Sequence, residues 1–177
     1  MSVYVFSPTT GYMWAQNYYC NFNGNPPHTV VNPYDGGSWC CPIDVSGSEN
    51  DNVWLQFDGG GNDAGCLSIT TTQWSGVCAS DPAPWNDAVI VRFYSGANAT
   101  GTLLGEVMFA HLKNRIANQT FNTHNAATAM VIGNLAGDCN CGCAHGVHTH
   151  MQGSNTYSPS FSCNQSLTAG QWVYRVG

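Results

Sequence analysis

The sequence predicts an all-β fold with long loops between its strands. Short segments rich in β-branched and aromatic residues alternate with clusters of Gly, Asn, Pro and Asp, a pattern typical of strands separated by turns. Few stretches carry the 3.6-residue period of an amphipathic helix. The chain also has nine cysteines. Cysteine-rich chains are typical of oxidising compartments, where disulfides can tie long loops together.

Seven segments are predicted as strands, each bounded by turn-forming residues. In chain order they are Val53–Phe57, Cys66–Thr72, Ala88–Tyr94, Leu103–Leu112, Met130–Ile132, Val147–Gln152 and Gln171–Val176. Long irregular loops are expected over residues 1–50 and 134–146. Because no internal repeat, charge run or linker divides the chain, residues 1–177 are expected to form a single domain.

The composition excludes several classes of protein. Lys and Arg total 4 against 10 for Asp and Glu, which gives a net charge of −6. Four basic residues cannot form the phosphate-binding surface of a nucleic-acid-binding protein. The longest apolar runs are far shorter than the roughly 20 residues of a membrane-spanning helix. Disorder is disfavoured because 43% of the residues are hydrophobic.

The cysteines predict a secreted protein stabilised by disulfides. Eight of them could form four bridges, which leaves the ninth as a free thiol, a metal ligand or an intermolecular link. A zinc ribbon is disfavoured because no CxxC pair occurs. Residues 1–16 lack the charged start and apolar run of a signal peptide, so an exported chain is expected to be in its mature form.

A cluster of histidines is the most informative feature of the sequence. On a strand, alternate side chains share a face, so His148 and His150 point to one side while Thr149 and Met151 point to the other. Two imidazoles on one face can bind one metal ion together, or divide the roles of ligand and acid or base. A pair of hydrogen-bonded surface histidines is the alternative.

A catalytic zinc ion needs about three protein ligands and an open position for water. Upstream candidates for the remaining ligands are His28, Asp35 and Asp44. Asp44 lies between Ile43 and Val45 at the head of a predicted strand. An ionised side chain in that setting either faces solvent or has a partner, and a metal ion is one such partner.

Four segments resemble the lysostaphin-type zinc metallopeptidases of bacterial cell walls, especially the staphylolytic and β-lytic metalloendopeptidases. In order they are His28 followed at a distance by Pro42-Ile43-Asp44-Val45, then Phe109-Ala110-His111-Leu112, Val131-Ile132-Gly133 and Gly146-Val147-His148-Thr149-His150-Met151. The resemblance covers residues 20–152, with residues 62–87 as an insertion.

The resemblance implies a compact antiparallel, barrel-like scaffold with an open groove. It implies that His28, Asp44 and His150 hold Zn²⁺, and that His111 and His148 flank the attacking water. Zinc lowers the pKa of such a water to about 7, which suits attack on a peptide carbonyl. The implied protein is a secreted zinc metalloendopeptidase that acts on peptidoglycan peptides or glycine-rich cross-bridges. It is expected to be a monomer. The alternative is a catalytically inactive binding or structural protein of the same fold.

The first motif departs from the pattern found in much of the family. Four positions before Asp44 the family often has histidine, and this chain has Cys40. Either His28 is the ligand, or the Cys40 thiolate is, or the site is incomplete.

His124 is expected in a loop or at a strand edge, while His145 is either a solvated loop residue or a partner that orients a ligand imidazole. Besides the zinc peptidase and the inactive protein of the same fold, the third hypothesis is that the chain is a disulfide-rich, lectin-like binding module.

Overall fold

The computed structural model describes residues 2–9, 13–16, 39–58, 65–77, 81–123, 128–138, 146–157, 166–167 and 171–177. Over these ranges the protein is all-β, with two antiparallel sheets, one of which is a curled half-barrel. None of the described residues belongs to a helix long and apolar enough to cross a membrane.

Thirteen strands lie within the described residues. They are β1 (Val3–Phe6), β2 (Met13–Gln16), β3 (Trp39–Ser46), β4 (Asn52–Asp58), β5 (Ser68–Ser75), β6 (Asp87–Tyr94), β7 (Leu103–Ala110), β8 (Leu112–Lys113), β9 (Gln119–Asn122), β10 (Thr128–Leu135), β11 (His148–Ser154), β12 (Thr156–Tyr157) and β13 (Trp172–Val176). A six-stranded sheet has the order β12-β13-β1-β4-β10-β8, and a seven-stranded sheet has the order β2-β3-β11-β7-β6-β5-β9.

All seven predicted strands are present, but the expectation of irregular loops was wrong for part of the chain. Strands β1, β2 and β3 lie within residues 1–50, and β10 continues to Leu135. Pro42 in β3 normally argues against a strand, because it cannot donate to the ladder. Here it lies at a bulge, where Cys41 and Pro42 together oppose Gln152 of β11. Residues 62–87, the expected insertion, contribute β5, which pairs with β6 and β9.

The main core lies between the two sheets. Phe57 of the six-stranded sheet meets Phe93 of the seven-stranded sheet edge to face, with ring centroids 5.5 Å apart. Met151 belongs to the same core, so alternate residues of β11 point to the outer face of the seven-stranded sheet. That outer face carries a second apolar cluster, formed by Trp39, Val77, Ala88, Ile90, Met108 and Ala110.

Tyr174 joins the two sheets behind the histidine strand. Its hydroxyl donates to the backbone carbonyl of Met151 at 3.1 Å, and the side chain is fully buried. Burial and the charge of Asp44 raise the pKa of Tyr174 well above its usual value, so the hydroxyl stays protonated and donates.

We expect Tyr174→Phe to lower the free energy of unfolding by about 1–2 kcal/mol, because a buried carbonyl loses a donor. Urea denaturation measures the change. The control Tyr157→Phe alters an exposed ring and should cost less than about 0.5 kcal/mol. Equal effects of the two variants would show that the buried hydrogen bond contributes nothing.

Among the cysteines, Cys66 has a described side chain, and it is a buried free thiol. The Sγ atom donates to the carbonyl of Ser68 at 3.5 Å. The side chains of the other eight cysteines lie outside the described residues, Cys40 and Cys41 among them. The disulfides therefore stay a prediction.

Cys66 is expected to react with iodoacetamide at least about 100-fold more slowly in the folded protein than in urea, because opening must precede reaction. Burial also raises the pKa of the thiol, which lowers the fraction of reactive thiolate. Peptide mass spectrometry can follow this one residue. Equal labelling rates in the two states would contradict the buried position.

Candidate active site

Strand β11 places its histidines in the interior of the seven-stranded sheet. It lies between β3 and β7, and His150 is paired with Asp44 on one side and Ala110 on the other. Since cross-strand partners share a face, His150 and Asp44 both point to the outer face of the sheet. His148, paired with Ser46, lies on the same face.

Asp44 lies beside two imidazoles in a buried cluster. Its Oδ1 atom is 3.1 Å from Nδ1 of His150 and 3.7 Å from Nε2 of His148. All three residues are at most 7% exposed. A buried carboxylate needs compensating partners, and the four Lys and Arg residues contact other groups. Three of them form ion pairs with other acids, namely Arg92–Glu106, Lys113–Glu49 and Arg115–Asp87. The fourth, Arg175, lies over the ring of Tyr157.

His111 joins the cluster from the end of β7. There the chain leaves the seven-stranded sheet and enters the six-stranded sheet as β8, and His111 makes the bend with φ of 62°. A positive φ is costly for a residue other than glycine, and such strain is often found at functional sites. The His111 ring is buried, 4.8 Å from the ring of His148 and 6.2 Å from that of His150, centroid to centroid.

Backbone carbonyls fix the tautomers of two histidines. Nδ1 of His111 is 2.5 Å from the carbonyl of Trp85, and Nδ1 of His148 is 3.1 Å from that of Gly146. Because a carbonyl only accepts, both Nδ1 atoms donate their protons, and in the neutral rings Nε2 carries the lone pair. Burial, reinforced by the nearby His148 and His150, lowers the pKa of His111 to about 3. His111 is therefore neutral near pH 7.

His150 has a different environment from the other two histidines. Its Nδ1 faces the Asp44 carboxylate, and its Nε2 lies 3.2 Å from Oε1 of Gln152. If Nε2 donates to that amide oxygen, Nδ1 is free to bind a metal ion beside Asp44. An imidazolium that donates from both nitrogens is the metal-free arrangement with the same contacts.

No protein family, curated protein or solved structure matches this chain. Its chemistry therefore follows from its own side chains. Of the five predicted site residues, the structure brings together Asp44, His111, His148 and His150. The fifth, His28, lies outside the described residues, as do Asp35, His124 and His145.

The donors at Asp44 and His150 suit zinc in kind and in spacing. Two ligands of a tetrahedral zinc ion, each about 2.0–2.2 Å from the metal, lie roughly 3.3–3.6 Å apart. Asp44 Oδ1 and His150 Nδ1 are separated by 3.1 Å. Within the described ranges, no group of three or more His, Cys, Asp or Glu residues could hold a metal ion. A complete site would need a further ligand from elsewhere in the chain, and His28 is the predicted one.

Three partners of the histidines were not predicted from the sequence, namely the side chain of Gln152 and the carbonyls of Trp85 and Gly146. Gln152 has a signal in the sequence, because the two-residue period of a strand places it on the face of His148 and His150. The Trp85 carbonyl has none, because a backbone atom is equally available in any residue. Only the tertiary fold brings it to His111.

Proposed function

We propose that the protein is a secreted zinc-dependent metalloendopeptidase. The observation that carries the proposal is the buried convergence of Asp44 and three histidines, two of which share one tautomer while the third faces the carboxylate. A histidine that binds a metal ion must direct a nitrogen lone pair toward it, whereas a histidine that acts as acid or base needs a nitrogen that can gain and lose a proton. The cluster offers both kinds of nitrogen.

Each residue then has a separate role. Asp44 and His150 hold Zn²⁺ together with His28. When bound, zinc activates water for attack on a peptide carbonyl and stabilises the charge that develops on its oxygen. His148 presents an Nε2 lone pair that accepts a proton from the nucleophile and returns it to the leaving amine. His111, whose lowered pKa makes it a weak base, accepts a hydrogen bond from the attacking water at Nε2 and orients it. Support for these roles comes from the backbone contacts at Nδ1, which fix the orientation of both rings and leave Nε2 available.

The proposed substrate is a peptidoglycan peptide or a glycine-rich cross-bridge. Support comes from the resemblance of the four sequence segments to lysostaphin-type peptidases. The nine cysteines and the charged fraction of 8% support an exported protein. We propose that it acts as a monomer.

A second candidate is a catalytically inactive binding or structural protein with the same fold. It is favoured by one observation, which is that the described residues contain no complete metal-binding group. In that case Asp44 forms ion pairs with imidazolium groups, and the cluster stabilises the sheet.

Bound metal and cell-wall hydrolysis together distinguish the two functions. Elemental analysis of the purified protein should find close to one zinc per chain, and a suspension of Gram-positive cell walls should lose turbidity. A chelator should stop the clearing, and added zinc should restore it. Absence of bound zinc after loading and dialysis would rule out the peptidase and leave the binding protein. One bound zinc without hydrolysis of any wall preparation would exclude the proposed substrate.

A further inference from the structure

Gln152 is a fully buried amide beside the histidine cluster. It occupies the β11 position two residues after His150 and lies on the same face of the sheet. Its cross-strand partner on β7 is the apolar residue Met108, and on the other side it faces the bulge of β3. A buried amide is costly unless it is hydrogen-bonded, so its contact with His150 Nε2 is a significant part of its environment.

The orientation of the amide determines where the proton of His150 lies. Oε1 faces Nε2 at 3.2 Å, and an amide oxygen accepts hydrogen bonds but cannot donate them. Nε2 must therefore carry the proton. With the amide turned the other way, its NH₂ group would donate to Nε2, and the proton of a neutral ring would lie on Nδ1 against Asp44.

With a metal ion on Nδ1, the contact would make His150 the opposite tautomer of its neighbours. His111 and His148 donate from Nδ1 to backbone carbonyls, which leaves Nε2 with the lone pair. His150 donates from Nε2, so Nδ1, 3.1 Å from Asp44 Oδ1, either donates to the carboxylate in the imidazolium or, in the neutral ring, offers its lone pair to a metal ion. Within one cluster, a single side-chain amide thus distinguishes the ligand from the two other histidines.

We propose that Gln152 is a positioning residue that holds His150 in the Nε2–H tautomer, so that Nδ1 binds the metal beside Asp44. This inference rests on the proposed zinc site. Partners of this kind orient a ligand imidazole, and their removal typically weakens metal binding by about 10- to 100-fold.

Zinc affinity and the identity of the bound nitrogen test the inference. Gln152→Met keeps the length of the side chain but removes the acceptor, and it should weaken zinc binding by about 10- to 100-fold in competition with a chelating dye. Gln152→Glu keeps an accepting oxygen and should stay within a few-fold of the wild type. Gln73→Met is the matched control, because that amide donates to the carbonyls of Arg115 and Ile116. It should bind zinc normally.

The cadmium-loaded protein reports the ligating atom directly. Coupling between ¹¹³Cd and the ring ¹⁵N atoms should appear at Nδ1 of His150 in the wild type and in Gln152→Glu. Circular dichroism verifies that each variant is folded, and if Gln152→Met does not fold, Gln152→Leu replaces it. The inference is overturned if the folded apolar variant binds zinc as tightly as the wild type, or if the wild type shows coupling at Nε2. Either result leaves the proposed function standing. Failure of the wild type to bind either metal overturns the proposed function as well.

Discussion

His150→Ala is expected to abolish both zinc binding and peptide hydrolysis. Structural zinc sites with four protein ligands bind with roughly 10–16 kcal/mol, which is about 3–4 kcal/mol per ligand. Loss of one of the three proposed ligands should therefore weaken binding by on the order of 10²- to 10³-fold. The variant also leaves the Asp44 carboxylate buried without the imidazole that lies 3.1 Å away. Zinc content after dialysis and the rate of cell-wall clearing measure the two losses.

His124→Ala is a matched control for this substitution, because it removes an imidazole that the sequence places outside the candidate set. It should retain one zinc and full activity. Circular dichroism establishes that the His150 variant has kept its sheets. Full zinc retention by a folded His150→Ala protein would contradict the assignment of His150 as a ligand, and with it the proposed metal centre.

The local part of the fold and site was predictable from the sequence. The two-residue period of a strand needs no tertiary information, so the shared face of His148 and His150 follows from five consecutive residues. The same rule assigns Met151 to the opposite face, and the structure buries it in the main core. Strands with strong β-propensity, such as β6, were predicted from their β-branched and aromatic residues, which likewise need no tertiary information.

Contacts between distant parts of the chain were not predictable in this way. Asp44 and His150 are 106 positions apart, and they meet because β3 pairs with β11 in one particular register. The bulge at Pro42 changes that register by one residue, and a one-residue change reverses the face of every side chain beyond it. The prediction that these two residues lie together came from the resemblance to a peptidase family. Composition and periodicity alone could not have given it.

The conformation of His111 also depends on tertiary structure. The sequence predicts a single strand over Leu103–Leu112, whereas the chain changes sheets at His111 with φ of 62°. Nothing in the local sequence marks that bend, since glycine or asparagine would be the usual residue there. The bend directs the ring toward His148 instead of along the strand.

His148→Ala is expected to keep zinc bound while turnover falls by about 10²- to 10⁴-fold, the usual contribution of a positioned acid or base. In the proposed site the ring moves protons and does not bind metal, so the zinc content should stay near one per chain. His111→Ala should behave in the same way, because its Nε2 is likewise available while Nδ1 donates to Trp85. The loss should fall on kcat, since neither ring is proposed to bind the substrate in its ground state.

The contrast between His148 and His150 is the sharpest part of this prediction. Asp44 Oδ1 is 3.7 Å from His148 Nε2 and 3.1 Å from His150 Nδ1, so both nitrogens are near enough to share a metal with it. Loss of zinc from His148→Ala with zinc retained by His150→Ala would exchange the two roles. Loss from both would make both residues ligands and leave His111 as the only described histidine for proton transfer. Full activity of His148→Ala would exclude it from the chemistry, because no positioned acid or base can be removed without a reduction in rate.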